Sequence, residues 1–248
     1  TQHTVADGEV TGLDRWILDA FAKLDADVRT AFDKCEFHIA YQRITQFVSV
    51  ELSAVYHDTV KDRLYTSPAN STRRRSTQTA IYRLVQGFAK MLSPMLVFTA
   101  DEAWEAIPHL DSASVHLTDW EPFEFSISAE ESANWETMFA IRERTLPMLE
   151  EARQAKQIGK SLEACVTLTG NGREIEIGQA HGEDLRELIN VSELKLETGE
   201  GEELQVAVTN AEGEKCERCW RWEPPVGAHD NHATLCPRCI EAVNQATA

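Results

Sequence analysis

The chain has 248 residues, enough for two or three compact units, and its apolar content of 42% is ordinary for globular proteins. No apolar run is long enough to span a membrane, and the N-terminus lacks a signal pattern, so we expect a cytoplasmic protein without membrane contact. The net charge of −17 argues against a polyanionic partner. However, residues 1–110 hold 12 Lys and Arg against 14 Asp and Glu, whereas residues 111–248 hold 12 against 27. The first half can therefore still present a local basic face.

Apolar residues recur at three- and four-residue spacing through the first 110 residues, which predicts a bundle of long helices. One stripe runs from Leu13 to Phe32 and a second from Phe37 to Val55. A polar loop at 67–71 precedes a third helix, which is predicted to stop before Pro94. A fourth helix is predicted to open at Thr99, whose hydroxyl would form a capping box with Glu102.

After the bundle the pattern becomes irregular over residues 111–130, where an aromatic cluster (Trp120, Phe123 and Phe125) is predicted to pin the segment onto the helices. Helical periodicity returns over residues 131–156, and Pro147 inside it predicts a kink or a break.

From residue 161 the apolar period becomes two, which predicts a strand over 162–168, followed by a turn at 170–172. A short helix over 183–189 and two further strands around an acidic hairpin turn at 197–203 complete a small α/β unit. The predicted fold class is α+β: an all-α bundle, a small α/β unit and a C-terminal four-cysteine zinc ribbon. The predicted domains are residues 1–125, 126–212 and 213–248.

Four of the six cysteines form two Cys-x-x-Cys pairs, Cys216 with Cys219 and Cys236 with Cys239, separated by 16 residues. This spacing lets two tight knuckles place four thiolates around one Zn²⁺, with no coordination position left for a catalytic water. We therefore predict one structural zinc ion, ligated by these four cysteines. A redox role for the pairs is the alternative, and His229 and His232 are alternative ligands.

Basic residues flank both cysteine pairs: Lys215, Arg218, Arg221 and Arg238. Their charge would partly offset that of four thiolates on one divalent ion. The two cysteines outside the pairs, Cys35 and Cys165, lie in amphipathic patterns and are predicted to be buried bystander thiols.

Several segments resemble a known family. The runs Leu13–Leu18 (LDRWIL), Lys61–Tyr65 (KDRLY) and above all Leu92–Trp104 (LSPMLVFTADEAW) resemble the helical anticodon-binding domain of class I aminoacyl-tRNA synthetases. The runs Ile158–Leu168 (IGKSLEACVTL), Lys215–Trp222 (KCERCWRW) and Leu235–Cys239 (LCPRC) are similar to the C-terminal end of bacterial isoleucyl-tRNA synthetase. The resemblance covers nearly the whole chain in the right order.

The resemblance implies the C-terminal, anticodon-binding part of an ATP-dependent ligase that attaches isoleucine to its tRNA in protein biosynthesis. The catalytic signatures His-x-Gly-His and Lys-Met-Ser-Lys-Ser are absent from these residues. We therefore expect no catalytic residues in this chain, with the catalytic core joined to it in cis. The expected partner is tRNA bearing the isoleucine anticodon, and the expected state is a monomer. The resemblance also leads us to expect a short basic tail after the last cysteine, which residues 240–248 do not contain.

The bases of a single-stranded anticodon can stack on aromatic or guanidinium planes. Candidate RNA-binding residues are therefore the basic and aromatic side chains of three short runs: Lys61, Arg63 and Tyr65; Arg73, Arg74 and Arg75; and Trp220, Arg221 and Trp222. The first two runs flank the loop at 67–71, which predicts that they meet at one end of the bundle. A solvated helix start is the alternative for the arginine triplet, and packing over the metal is the alternative for the tryptophans.

Two other functions fit parts of the sequence. Similar zinc fingers end the DNA glycosylases that remove oxidised purines, but those enzymes use an N-terminal proline as nucleophile, whereas this chain begins Thr1-Gln2. A zinc ribbon that docks onto another protein would fit the acidic second half of the chain.

Overall fold

A computed structural model describes residues 4–201, 203–228 and 230–247. The chain forms two compact units, unit 1 (Thr1–Asp58 with Asn70–Ile127) and unit 2 (Thr59–Ala69 with Ser128–Ala248). The chain therefore enters unit 2 briefly at residues 59–69 before it returns to unit 1. The three predicted domain boundaries stay predictions.

The α-helices follow one another along the chain as α1 (Leu13–Asp33), α2 (Phe37–Phe47), α3 (Asp58–Thr66), α4 (Thr72–Leu92), α5 (Val97–Glu105), α6 (Ala129–Gln154), α7 (Arg173–Ala180), α8 (Gly182–Ile189) and α9 (Pro237–Thr247). The strands are β1 (Ala164–Gly170), β2 (Glu193–Thr198), β3 (Gln205–Asn210), β4 (Glu214–Lys215) and β5 (Trp222–Glu223). This is the predicted order of an α-helical part, a small α/β part and a cysteine-rich end. No described helix is both long and apolar enough to cross a membrane.

Unit 1 is built around the ring of Phe21, on the buried stripe of α1. The rings of Phe47, Phe88 and Phe123 surround it, with centroids 5.8, 4.8 and 4.8 Å away. Edge-to-face contacts of this kind stabilise a core beyond the burial of area alone. Gly87 is needed here because a Cβ at that position would lie 2.4 Å from the Phe21 ring.

The segment after α5 is pinned to the bundle as predicted. The indole of Trp120 donates a hydrogen bond to the Asp25 carboxylate at 2.7 Å. The Arg83 guanidinium lies over both Phe123 and Phe125, 5.0 and 5.3 Å from the ring centroids. These aromatic and cationic contacts fix a segment that has little regular structure of its own.

Two local predictions in unit 1 were wrong. The stripe from Phe37 to Val55 is not one regular α-helix, because its second half is a π-helix, Val48–His57. Helix α5 begins at Val97, with Leu96 as its N-cap, so Thr99 lies inside the helix and forms no capping box. The Ala100 amide already donates to the Leu96 carbonyl at 2.8 Å, which shows that the helix starts before Thr99.

The main sheet of unit 2 has the strand order β2-β1-β3, with β1 parallel to β2 and antiparallel to β3. Val166 in the central strand is opposite Leu194 on one side and Val208 on the other. The prediction of a hairpin between the last two strands was wrong, because both pair with the buried β1 and not with each other. Helices α7 and α8 make the crossover from β1 to β2, so the turn predicted at 170–172 leads into a helix.

Helix α6 contacts β3, α7 and α8, and it buries Trp135, Met138, Ile141 and Leu149. It continues without a break through Pro147. The buried residues on both sides of Pro147 hold the helix against the rest of unit 2, which compensates for the backbone hydrogen bond that proline cannot donate.

Candidate metal centre and nucleic-acid interface

The four cysteines of the predicted zinc site come together in unit 2, and all four are buried and outside any disulfide. Strands β4 and β5 form a short antiparallel hairpin that carries Cys216 and Cys219 in its turn. The Cys216 amide donates to the Arg221 carbonyl at 2.8 Å and the Trp220 amide donates to the Cys216 carbonyl at 2.8 Å, which closes this knuckle. Gly213 has a φ of +92° and lies against the Glu223 backbone, where any Cβ would clash.

The second cysteine pair lies at the start of α9. Cys236 directly precedes Pro237, the first helical residue, and its carbonyl accepts the Ile240 amide at 3.0 Å. The positive end of a helix dipole stabilises thiolates at this position. The Cys236 amide also donates to the Cys216 sulfur at 3.3 Å, which links the two pairs.

The geometry of the sulfurs fits a single zinc ion. All four Sγ atoms lie within 4.8 Å of one another, and those of Cys219 and Cys236 are 3.7 Å apart. Tetrahedral Zn²⁺ with Zn–S bonds of about 2.3 Å places its sulfurs about 3.8 Å apart. Within the described part of the chain this is the one cluster of potential ligands, and His232 is not part of it. His229 lies outside the described residues.

Hydrogen bonding among these thiols shifts their pKa values in opposite directions. Hydrogen bonds from Cys236 and then Cys239 lower the pKa of Cys219. The same bond to Cys219, contact with Cys239 and burial raise the pKa of Cys236. A bound Zn²⁺ replaces the protons and allows all four sulfurs to be thiolates. With four protein ligands the cluster fits one closed, structural zinc ion and leaves no position for a reacting water.

The arginines of the zinc knuckle bind the end of α3. The Arg238 guanidinium makes a two-point contact with the Asp62 carboxylate, at 2.7 and 3.1 Å. Arg221 lies 3.5 Å from the same carboxylate. Burial alone would raise the pKa of Asp62, but the hydrogen bond and charge of Arg238, followed by the charge of Arg221, hold this pKa below its usual value.

Arg218 caps the same helix. Its guanidinium donates to the Tyr65 carbonyl at 3.2 Å and also to the Thr66 carbonyl, two of the carbonyls left without partners at a helix C-terminus. One of its nitrogens also lies 3.6 Å from the Cys239 sulfur. Arg218 therefore bridges a metal-ligand sulfur and the last turn of α3.

Two of the predicted RNA-binding arginines are buried. Arg63 is 2% exposed, and its Nε donates to the Glu187 carboxylate at 2.7 Å. Arg221 is also 2% exposed and faces Asp62. Neither guanidinium is exposed to a base in this structure, and the RNA-binding role of the two residues stays a prediction. Charge and spacing identified these residues, but only the tertiary structure shows that their partners are carboxylates of the same chain.

Other residues of the predicted set reach the surface of unit 2. Lys61 is exposed and Tyr65, one turn further along α3, is 77% exposed. Trp220 is 56% exposed at the tip of the knuckle. Trp222 is half-buried in β5, and its indole nitrogen is enclosed, so it offers less surface to a ligand.

Trp220 has two features that the sequence did not reveal. Its φ of +66° is a left-handed conformation that costs a bulky residue conformational energy, and such strain is concentrated at functional sites. The Nζ atoms of Lys160 and Lys215 lie 5.6 and 5.8 Å from its ring centroid. Lys160 was missed because it lies 60 positions before Trp220 in the chain, and no local pattern links the two.

The arginine triplet begins α4 in unit 1. Ser71 caps this helix by accepting the Arg74 amide at 3.2 Å, and the first turn contains no acidic residue. All three arginines are partly exposed, and Arg75 is bonded to Gln78 and Asn70, both at 3.1 Å. The predicted meeting of this triplet with Lys61 and Tyr65 stays a prediction, since these residues belong to different units.

The architecture defines a class: a helical bundle joined to a small α/β unit that ends in a closed four-cysteine zinc finger. A family model described as the anticodon-binding domain of tRNA ligase matches residues 14–168. A second, described as a zinc finger found in FPG and IleRS, matches residues 213–242. The chain belongs to the anticodon-binding domain family of tRNA ligases.

Curated relatives agree with this family. The chain is 41% identical to an isoleucine–tRNA ligase of Geobacillus thermodenitrificans, over 98% of this chain and 28% of the relative. It is 36% identical to that of Photorhabdus laumondii, over 98% of this chain and 27% of the relative. A third relative, the isoleucine–tRNA ligase of Halalkalibacterium halodurans, is 38% identical over 97% of this chain and 27% of the relative. The chain thus spans little more than a quarter of the length of these relatives.

Proposed function

We propose that this chain is the tRNA-recognition part of a cytoplasmic, monomeric isoleucine–tRNA ligase, and that it binds tRNA carrying the isoleucine anticodon. The observation that carries the proposal is the anticodon-binding family match over residues 14–168, together with the printed names of the relatives. The ATP-dependent attachment of isoleucine belongs to a catalytic core joined in cis. This chain contributes recognition and holds no catalytic residue.

The N-terminus of α4 supports the proposal as a phosphate-binding surface. Three arginines within the first turn place positive charge at the positive end of the helix dipole. An RNA phosphate bound at this helix N-terminus would interact favourably with both the dipole and the guanidinium groups. The net charge of the chain is −17, so attraction of RNA requires such a local cluster.

The tip of the zinc knuckle supports it as a base-stacking surface. An unstacked base on Trp220 would gain about 1–3 kcal/mol, which is typical of base–aromatic stacking. Lys160 and Lys215 beside the ring would neutralise the phosphates of the stacked nucleotide. Lys61 and the exposed Tyr65 supply a further cation and aromatic ring on α3. Arg63 and Arg221 are left out of this surface because they are buried.

Fluorescence anisotropy with an isoleucine tRNA transcript tests the function. We expect binding that weakens with salt, and weaker binding when the anticodon is exchanged for that of an unrelated tRNA. Trp220→Ala should reduce affinity about 5- to 100-fold, the equivalent of one lost stack. Neutralising Arg73, Arg74 and Arg75 to Gln should weaken binding and flatten the salt dependence.

A matched control neutralises the exposed residues Lys34, Arg144 and Arg153, which changes the net charge equally and leaves the residues of both surfaces unaltered. This control should bind like the wild type. Equal affinity for all tRNAs would contradict anticodon recognition. The alternative of a DNA-lesion glycosylase would account for the zinc finger alone. The anticodon-binding match over residues 14–168 lies outside that finger and disfavours this alternative.

A further inference from the structure

The end of α3 is held by the zinc knuckle through charged contacts that a metal site does not require. Asp62 receives both nitrogens of Arg238 at 2.7 and 3.1 Å, and Arg221 lies 3.5 Å away. Arg218 donates to the last carbonyls of the helix. None of these four side chains is a metal ligand, yet all three arginines are within two residues of one.

The contacts divide α3 into two faces. Asp62 and Thr66, one turn apart, face the knuckle, and the Thr66 hydroxyl also bonds to the Asp62 carboxylate at 2.8 Å. Lys61 and Tyr65, also one turn apart, form the adjacent exposed face. Because the two faces share one short helix, anything that fixes Asp62 also fixes the direction of Lys61 and Tyr65.

The knuckle contacts act on the last turn of a short helix. Helix α3 has nine residues, too few to be stable alone. Its last turn is followed at once by the loop 67–71, and the Ser67 amide bond to the Arg63 carbonyl is long, at 3.4 Å. The Arg63–Glu187 pair anchors the middle of the helix, and the knuckle arginines contact its final turn.

We propose that Asp62 is a positioning residue that couples the zinc knuckle to α3, so that metal binding orders the last turn of this helix and the exposed face carrying Lys61 and Tyr65. The path runs from the metal-bound sulfurs through the knuckle backbone to Arg218 and Arg238, and from there to the Asp62 carboxylate and the helix carbonyls. The significance of this face for tRNA rests on the proposed function. The coupling itself does not.

Hydrogen exchange measured by mass spectrometry on the full chain tests the coupling. In Asp62→Asn, the amides of residues 62–67 should exchange about tenfold faster or more than in the wild type, because the last turn opens more often. Zinc content should stay at one ion per chain, since no ligand is changed. Removing zinc from the wild type should accelerate the same amides, while peptides from α1 exchange at unchanged rates.

Three variants make the test specific. Glu217→Gln removes an exposed carboxylate of the knuckle and should leave exchange in α3 unchanged. Arg238→Gln should reproduce the effect of Asp62→Asn, and the double variant should exchange no faster than either single variant. Arg238→Gln also provides a second way to break the contact should Asp62→Asn fail to fold. Unaltered exchange of residues 62–67 in both single variants, or in the zinc-free chain, would overturn the proposal.

A tRNA-binding measurement on the same variants separates this proposal from the proposed function. Faster exchange with weaker tRNA binding supports both. Faster exchange with unchanged tRNA affinity keeps the coupling and removes Lys61 and Tyr65 from the tRNA surface. If the wild-type chain binds no tRNA, the exchange data still decide the coupling.

Discussion

The bundle core and the zinc knuckle reach a defined structure by different means. In unit 1 the ring of Phe21 contacts three other aromatic rings, and the core consists mostly of apolar side chains. In the knuckle the buried cluster consists of the four cysteines, and among the described residues Val226 and Leu235 are the hydrophobic side chains packed against it. Hydrocarbon burial can order the first region, whereas the second must obtain its folding energy from a metal ion.

Loss of the metal is therefore expected to have the largest effect, and only in one region. Chelation, or Cys239→Ser, should unfold residues 214–247, because structural zinc contributes about 10–16 kcal/mol of apparent binding free energy. NMR spectra should show collapse of the amide dispersion of this segment, while signals of α1, α2 and α4 persist. Acidification should act in the same direction, since protons compete with zinc for the thiolates.

Cys35→Ser is the control for this experiment. Cys35 is exposed at the end of α1, with a φ of +57°, rather than buried as the sequence analysis predicted. This variant should keep both zinc and fold. Unchanged spectra of residues 214–247 in the zinc-free chain would show that the knuckle does not depend on the metal.

A smaller effect is expected from breaking the buried Arg63–Glu187 ion pair of unit 2. This experiment distinguishes a structural role of Arg63 from a role in RNA binding. Arg63→Met should lower the free energy of unfolding by about 3–5 kcal/mol, because it leaves the buried Glu187 carboxylate without its partner. The double variant Arg63→Met with Glu187→Leu should recover most of this loss, since an apolar pair of similar volume avoids desolvating two charges.

Urea unfolding measures both effects, and tRNA affinity supplies the decisive comparison. If Arg63 is purely structural, the recovered double variant binds tRNA like the wild type. A well-folded double variant with strongly reduced tRNA affinity would instead show that Arg63 contributes to tRNA binding.

Periodicity and spacing predicted most of the architecture, because they report which side chains are buried locally. The stripes of α1 and α4, the aromatic segment after α5 and the four-cysteine cluster all belong to this kind of information. The pairing of the strands could not be predicted from this information. Alternation over β2 and β3 is compatible with a hairpin or with two separate pairings, and only burial of β1 on both sides decides for the order β2-β1-β3.

The charged residues also show that single-sequence patterns do not predict contacts between distant segments. Arg63, Arg74 and Arg221 look alike in the sequence, but two of them are enclosed by carboxylates more than 100 positions away in the chain. Asp62 was overlooked because an acidic residue within a basic run is unremarkable until its partners in the knuckle are known. Ion pairs between distant segments carry no periodic signal, so no pattern in a single sequence could assign them.

The smallest effect tests how closely the side chains around Phe21 are packed in the core of unit 1. Phe21→Leu should lower the free energy of unfolding of unit 1 by about 1–2 kcal/mol, with zinc content unchanged.

Gly87→Ala alone should also destabilise unit 1, because the added Cβ would lie 2.4 Å from Cε1 of Phe21. In the double variant, the new methyl group at position 87 would occupy space that the phenyl ring vacates when leucine replaces Phe21. Alanine also favours the helix over glycine by about 1 kcal/mol. The double variant should then be more stable than either single variant in thermal unfolding. Strict additivity of the two losses would show that Phe21 and Gly87 are not in contact and that the core is looser than the structure indicates.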